Sequence, residues 1–119
     1  MRMVVALVQP TKVKAVQEAL ARIGVDRMTV CDALGYGQQM GSSTGSTVKG
    51  SSPAGGQLHR KVALEIAVNE DFLEKTVDTI ARVARTGSEG MVGDGKIFVL
   101  PIEETIRLSD TVRGPEAVS

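Results

Sequence analysis

Residues 61–87, KVALEIAVNEDFLEKTVDTIARVARTG, contain the change of period that decides the fold. Val62, Leu64, Ile66 and Val68 alternate with Ala63, Glu65 and Ala67, the period-two pattern of a strand buried on one face. From Asn69 the period changes. Leu73, Val77, Ile80 and Ala84 recur at helical spacing and predict a buried helical face. Asn69 is a good N-cap, Glu70 and Asp71 suit the positive helix end, and Arg82 and Arg85 suit the negative end before Gly87. A strand followed by a helix is therefore expected, and Ile97-Phe98-Val99-Leu100, closed by Pro101, supplies the next strand.

The first half repeats this order. Met3 to Val8 is a short apolar run ending at Pro10, which reads as a buried strand. Val13, Val16, Leu20 and Ile23 form one helical face that stops at Gly24. Met28 to Leu34 alternates Met28, Val30 and Leu34 against Thr29 and Cys31, again strand-like. Strand-helix-strand occurring twice is the split pattern of an α+β, ferredoxin-like βαββαβ sandwich, with both helices on one face of a four-stranded sheet. No further helix remains for the other face, which is expected to pack against other subunits. Residues 102–107 read as a short helical turn.

The 119 residues fit one domain, and 42% hydrophobic with 24% charged residues is ordinary globular usage. Aromatic content of only 3% leaves few large core anchors, so a homo-oligomer is also expected on stability grounds. Fourteen basic and 14 acidic residues cancel, which removes the electrostatic footprint of a nucleic-acid binder. No apolar run approaches the ~20 residues of a membrane span, and the N-terminus lacks the pattern of a secretion signal. A cytoplasmic location without membrane insertion is the expectation, and the single Cys31 fits a reducing compartment.

Two loops need explaining. Residues 35–58 hold seven of the 13 glycines and many serines, either a passive flexible linker or a recognition loop that orders on binding. Residues 86–96, TGSEGMVGDGK, carry closely spaced glycines whose N–H groups can approach a phosphate, with Lys96 as a point charge. Gly90 to Lys96 matches the first part of a P-loop, but Ile97 stands where Ser or Thr would hold magnesium and a strand follows, so a P-loop NTPase is rejected. On composition alone this loop is a turn or an anion site. Gly35-Tyr36-Gly37 leads into a Ser/Gly stretch, not a helix, so it is no dinucleotide fingerprint.

Catalytic and metal constellations are missing. His59 is the only histidine and reads as a polar residue at a strand start, Cys31 has no base partner, and Glu103-Glu104 read as solvated surface. An enzyme is not expected.

Met28-Thr29-Val30, Gly35-Tyr36-Gly37-Gln38-Gln39-Met40-Gly41, Thr86-Gly87 and Gly93-Asp94-Gly95-Lys96-Ile97-Phe98-Val99 occur in one order. Ile106-Arg107-Leu108 and Arg113-Gly114 follow. Together they resemble the PII signal-transduction protein family over nearly the whole chain. The resemblance implies a homotrimer that binds ATP or ADP between subunits, often with 2-oxoglutarate beside magnesium-ATP, and regulates partners through a protruding loop, here 37–58. It implies nucleotide contacts from Thr29 near the adenine, from Gly35, Gly37, Gln38 and Gln39, and from Gly87, Gly93, Asp94, Gly95 and Lys96. Arg107 and Arg113 belong to the C-terminal loop, 107–119, with Arg107 reaching in from the neighbouring chain. Gln39 and Lys61 match the positions that meet 2-oxoglutarate, and Gln39 also the magnesium.

Departures from the family pattern shape the expected ligand. Gln38 and Ser109 stand where arginines are common, which removes two cations that pair bidentately with phosphate, so ADP or AMP should compete well with ATP. The long loop lacks the tyrosine near its tip that many members have modified, Tyr36 being at its base, while Ser51 falls near a position phosphorylated in some relatives. Residues 88–92 make the glycine-rich loop two residues longer than its commonest form. The leading expectation is a nucleotide sensor that controls a membrane transporter or a metabolic enzyme. The alternative is an interaction module that keeps the fold without sensing.

Overall fold

The computed structural model of the chain describes residues 1–37 and 57–119. The elements are β1 (Arg2–Val8), a 3-10 turn (Pro10–Lys12), α1 (Val13–Arg22), β2 (Thr29–Gly37), β3 (Gln57–Val68), α2 (Glu70–Ala84), β4 (Gly95–Pro101) and a short α3 (Pro115–Val118). The four strands form one sheet in the order β2-β3-β1-β4, every neighbouring pair antiparallel. This is the expected α+β, ferredoxin-like arrangement.

Register explains the core. Val4 lies opposite Ile66 on one side and Val99 on the other, and Ala6 opposite Leu64 and Ile97, so even-numbered residues of the central strands share the helix-covered face. Val4, Ala6, Leu64 and Ile66 are fully buried there against Val16 and Leu20 of α1 and Ile80 of α2. The α1 helix ends where expected, with Gly24 at φ +88 taking the left-handed conformation after the last turn. The opposite face carries Met3, Val5, Leu7, Ala63 and Ala67 partly covered, with Phe98 and Leu100 exposed.

Several details differ from the sequence expectation. Strands β2 and β3 reach Gly37 and Gln57, because ladder pairing of Tyr36 with Leu58 and Gly37 with Gln57 carries residues that have no alternation of their own. The alternation of β2 also does not report burial. Val30 and Leu34 are 46% and 59% exposed, since β2 is an edge strand that the two helices do not cover. Residues 102–107 form no helix. The chain bends at Glu103, folds back through an Ile106–Arg113 bridge, and its short helix falls at Pro115–Val118 instead. Asn69 occupies the N-cap position but makes no side-chain cap bond, its Nδ2 donating instead to the Pro115 carbonyl at 3.0 Å.

On α2 the deepest residues include Thr76 and Thr79, while Leu73 and Val77 are only partly buried. Thr76 is fully buried and its Oγ1 has no hydrogen-bond partner. Thr76→Val exchanges an unsatisfied hydroxyl for a methyl of the same shape at nearly equal helix propensity. It is expected to stabilise the fold by about 1 kcal/mol, read as a higher urea midpoint at unchanged slope. A lower midpoint would show that the hydroxyl is satisfied in solution.

Candidate functional site

Turns of the chain that only glycine adopts readily shape the loop between α2 and β4. Gly87, Gly90, Gly93 and Gly95 have φ of +65, +79, +100 and +114. Asp94 holds the turns together. Its Oδ2 accepts the backbone N–H groups of Thr86 (2.9 Å) and Met91 (2.8 Å), and its Oδ1 accepts the Thr86 hydroxyl. Burial pushes the Asp94 carboxyl up, but these hydrogen bonds and the charge of Lys12 outweigh it and leave the pKa below the usual value.

A carboxyl lowered on folding contributes stability that is present above its unfolded pKa of about 3.9 and is lost as pH falls through the folded value. The Thr86 and Met91 amide resonances are therefore expected to titrate with a midpoint below about 3.9. Asp94→Asn should abolish that transition. A midpoint above 3.9 would contradict the clamp.

The loop is also anchored to the sheet. The Gly93 carbonyl accepts Gln9 Nε2 at 2.6 Å and the Lys61 ammonium. Burial lowers the Lys61 pKa, partly offset by the negative charge of Asp94. Lys96 is exposed at the start of β4, opposite Leu7 in the register. A cleft of about 560 Å³ runs along this end, with Ile80, Ala84 and Arg85 on one wall and Met91, Val92 and Lys96 on the other.

The base of the long loop lies at the same end of the sheet. Gly37 closes β2, and its carbonyl is 3.1 Å from Nε2 of His59, the ring nitrogen that donates in this arrangement. His59 is only 5% exposed and lies within β3 opposite Gly35, whereas the sequence suggested a polar residue at a strand start. Its role at Gly37 was not legible, because the two residues are 22 positions apart. Gln9 was missed in the same way. His59 and Lys61 are two residues apart and so share one face of β3, one touching the base of the long loop and the other the glycine-rich loop.

The described residues among those expected to meet nucleotide fall in three places. Gly35, Gly37, Lys61, Gly87 and Gly93 to Lys96 gather at one end of the sheet. Arg107 and Arg113 follow the far end of β4, six residues of strand or about 20 Å beyond Gly95. Thr29 is the first residue of β2, opposite Glu65 and six residues from Gly35. Gln38, Gln39 and Ser51 lie outside the described residues. Among the described residues no three His, Cys, Asp or Glu side chains cluster as a metal site would require. The ammonium groups of Lys61 and Lys96 suit an anion, so a magnesium ion would have to arrive on the anion it accompanies.

A profile of the family described as nitrogen regulatory protein P-II matches residues 1–111. The chain belongs to the P-II family. It is 42% identical to nitrogen regulatory protein GlnK1 of Methanosarcina mazei over 99% of this chain and 97% of the relative. It is 40% identical to the P-II homolog of Arabidopsis thaliana over 94% of this chain, which spans 55% of that longer plant protein. The crystal structure of Arabidopsis thaliana PII bound to citrate superposes with a TM-score of 0.73 at 34% identity, covering 99% of this chain and 89% of the other. P-II proteins are signalling regulators and not catalysts. No helix among the described residues is long and apolar enough to cross a membrane.

Proposed function

We propose that this P-II chain senses adenine nucleotide and passes its occupancy to residues 37–58, and through them to a regulated protein. The observation that carries this reading is the link across β3. Lys61 holds the Gly93 carbonyl of the glycine-rich loop, and His59, two residues away, holds the Gly37 carbonyl at the base of the long loop. A phosphate seated on the Gly93–Lys96 backbone competes for the Lys61 ammonium. Withdrawing that ammonium from Gly93 shifts the β3 face on which His59 pins Gly37. Occupancy then biases the conformational population of the long loop. Asp94, with both oxygens engaged inside the loop, shapes the cradle and does not touch the ligand.

The binding site is completed by a neighbouring copy in a homotrimer. Arg107 cannot reach Lys96 of its own chain across about 20 Å of sheet. The helix-free face, with Phe98 and Leu100 exposed, offers an apolar surface for that assembly. The small polycarboxylate held by the Arabidopsis relative supports an anion-binding role for this fold. With Gln38 and Ser109 in place of arginines, ADP and AMP compete well with ATP, and any response to 2-oxoglutarate through Lys61 and Gln39 is weak. The regulated partner is a membrane transporter or a metabolic enzyme, met in the cytoplasm. Ser51 is the candidate for phosphorylation.

One observation favours a module that no longer senses: Arg107 is already occupied by groups of its own chain. Calorimetric titration with ADP, AMP and ATP, repeated with magnesium and 2-oxoglutarate, separates the two readings. Binding of ADP at least as tightly as ATP is expected. Absence of binding by all three would establish the module.

A further inference from the structure

Residues 105–114 fold into a tight hairpin. Arg107 N–H donates to the Val112 carbonyl, Thr111 N–H to the Arg107 carbonyl and Gly114 N–H to the Thr105 carbonyl, at 2.8–2.9 Å. Thr111 is the only non-glycine described residue with positive φ, at 60°, and this turn folds Asp110 back toward Arg107. The Asp110 carboxylate is fixed on both sides. Its Oδ1 accepts the Val112 N–H at 3.1 Å, and the two oxygens accept Arg107 Nε at 3.0 and 3.2 Å and Nη2 at 2.8 Å. Arg107 Nη1 donates to the Glu116 and Ser119 carbonyls at 3.2 and 3.3 Å. Four of the five guanidinium N–H groups are thereby committed, including the fork that would otherwise grip a phosphate.

We propose that Asp110 is an internal counter-anion that occupies the Arg107 fork, so that a nucleotide phosphate must displace it, and that this adds to the substitutions at 38 and 109 in favouring nucleotides of low charge. The inference rests on the nucleotide-sensing reading above. An ordinary exposed ion pair has little hold on its partners. This one is bidentate, with its carboxylate pre-placed by the Val112 N–H, so releasing it costs a fork and not a single contact. Arg113 Nη1 donates to the Glu104 carboxylate in a single contact between exposed side chains, so both arginines of the C-terminal segment face a carboxylate of their own chain. A guanidinium freed of its carboxylate attracts each added ligand charge, so what the Asp110 pairing withholds grows from AMP through ADP to ATP.

The test is calorimetric titration of AMP, ADP and ATP into Asp110→Asn, which retains an acceptor for Val112 N–H while removing the charge. The expected result is a gain in affinity that rises with phosphate number, reaching about fivefold or more for ATP. The double variant Arg107→Ala/Asp110→Asn should lose that gain. Asp110→Ser, with a hydroxyl as acceptor, should reproduce the ranking if the amide variant folds poorly. Equal changes for all three nucleotides would reveal a merely structural role and overturn the inference, as would a gain that survives loss of Arg107. Wild-type binding of ADP with no change in Asp110→Asn would overturn the inference and leave the sensing reading intact. Failure of both the wild type and the variant to bind any nucleotide would overturn both.

Discussion

Gly95→Ala is expected to cost about 2–6 kcal/mol, a large part of the 5–15 kcal/mol that holds a typical fold together. Two penalties add. Gly95 sits at φ +114, where a side chain is strained by about 1–3 kcal/mol. A Cβ there would also lie 1.7 Å from the Leu7 carbonyl oxygen and 2.8 Å from its carbon. These neighbours are backbone atoms of β1, so no rotamer change relieves the clash, and moving them disturbs the Ala6–Ile97 and Leu7–Lys96 pairs. Gly87→Ala is the control. It has positive φ but nothing within 4 Å of a Cβ, so only the conformational cost of about 1 kcal/mol is expected. Urea denaturation compares the two directly, and equal midpoints would refute the close approach of β4 to β1.

Gly95 also shows where the sequence stops informing. Periodicity located α1, β3 and α2, because those elements bury a face and the burial imposes a repeat, and a continuous apolar run ending at Pro10 located β1. The ends of β2 and β3 carry Gly, Tyr, Gln and His, held by cross-strand pairing that no local pattern records. The same cause hid Thr76. A helical stripe of Leu73, Val77 and Ile80 fixes the helix, but the deepest line on α2 depends on how it lies over the sheet beside α1. At the candidate site, the glycines and Lys96 gave a phosphate-compatible composition and no more. The resemblance supplied the ligand. Gln9, His59 and the inward-turned Asp94 became legible only through contacts between separate elements. Arg107 and Asp110 are three apart, a spacing that suggests a helical ion pair, yet a hairpin with Thr111 in the left-handed region brings them together.

Lys96→Ala is expected to weaken ADP binding by about 1.5–3 kcal/mol, roughly 10- to 150-fold, while leaving the fold within ~0.5 kcal/mol of the parent. The contrast follows from where the ammonium stands. Lys96 is exposed on β4 beside the cleft, and among the described residues no carboxylate lies within 4 Å of it. Its loss strands no buried partner and removes no core packing, so the free protein has little to lose. A bound phosphate loses a charge-assisted contact next to the Gly93–Gly95 backbone. Lys61 behaves differently, because truncating it also removes one of the two side-chain donors to the Gly93 carbonyl, leaving Gln9, and alters the loop before any ligand arrives. Calorimetry with ADP and thermal melting of both variants distinguish these roles. Lys96→Ala should change affinity alone, and Lys61→Ala should change affinity together with the amide resonances of residues 86–95. An unaltered ADP affinity in Lys96→Ala would remove the phosphate role from this lysine, and a matching fall in melting temperature would assign it to the fold instead.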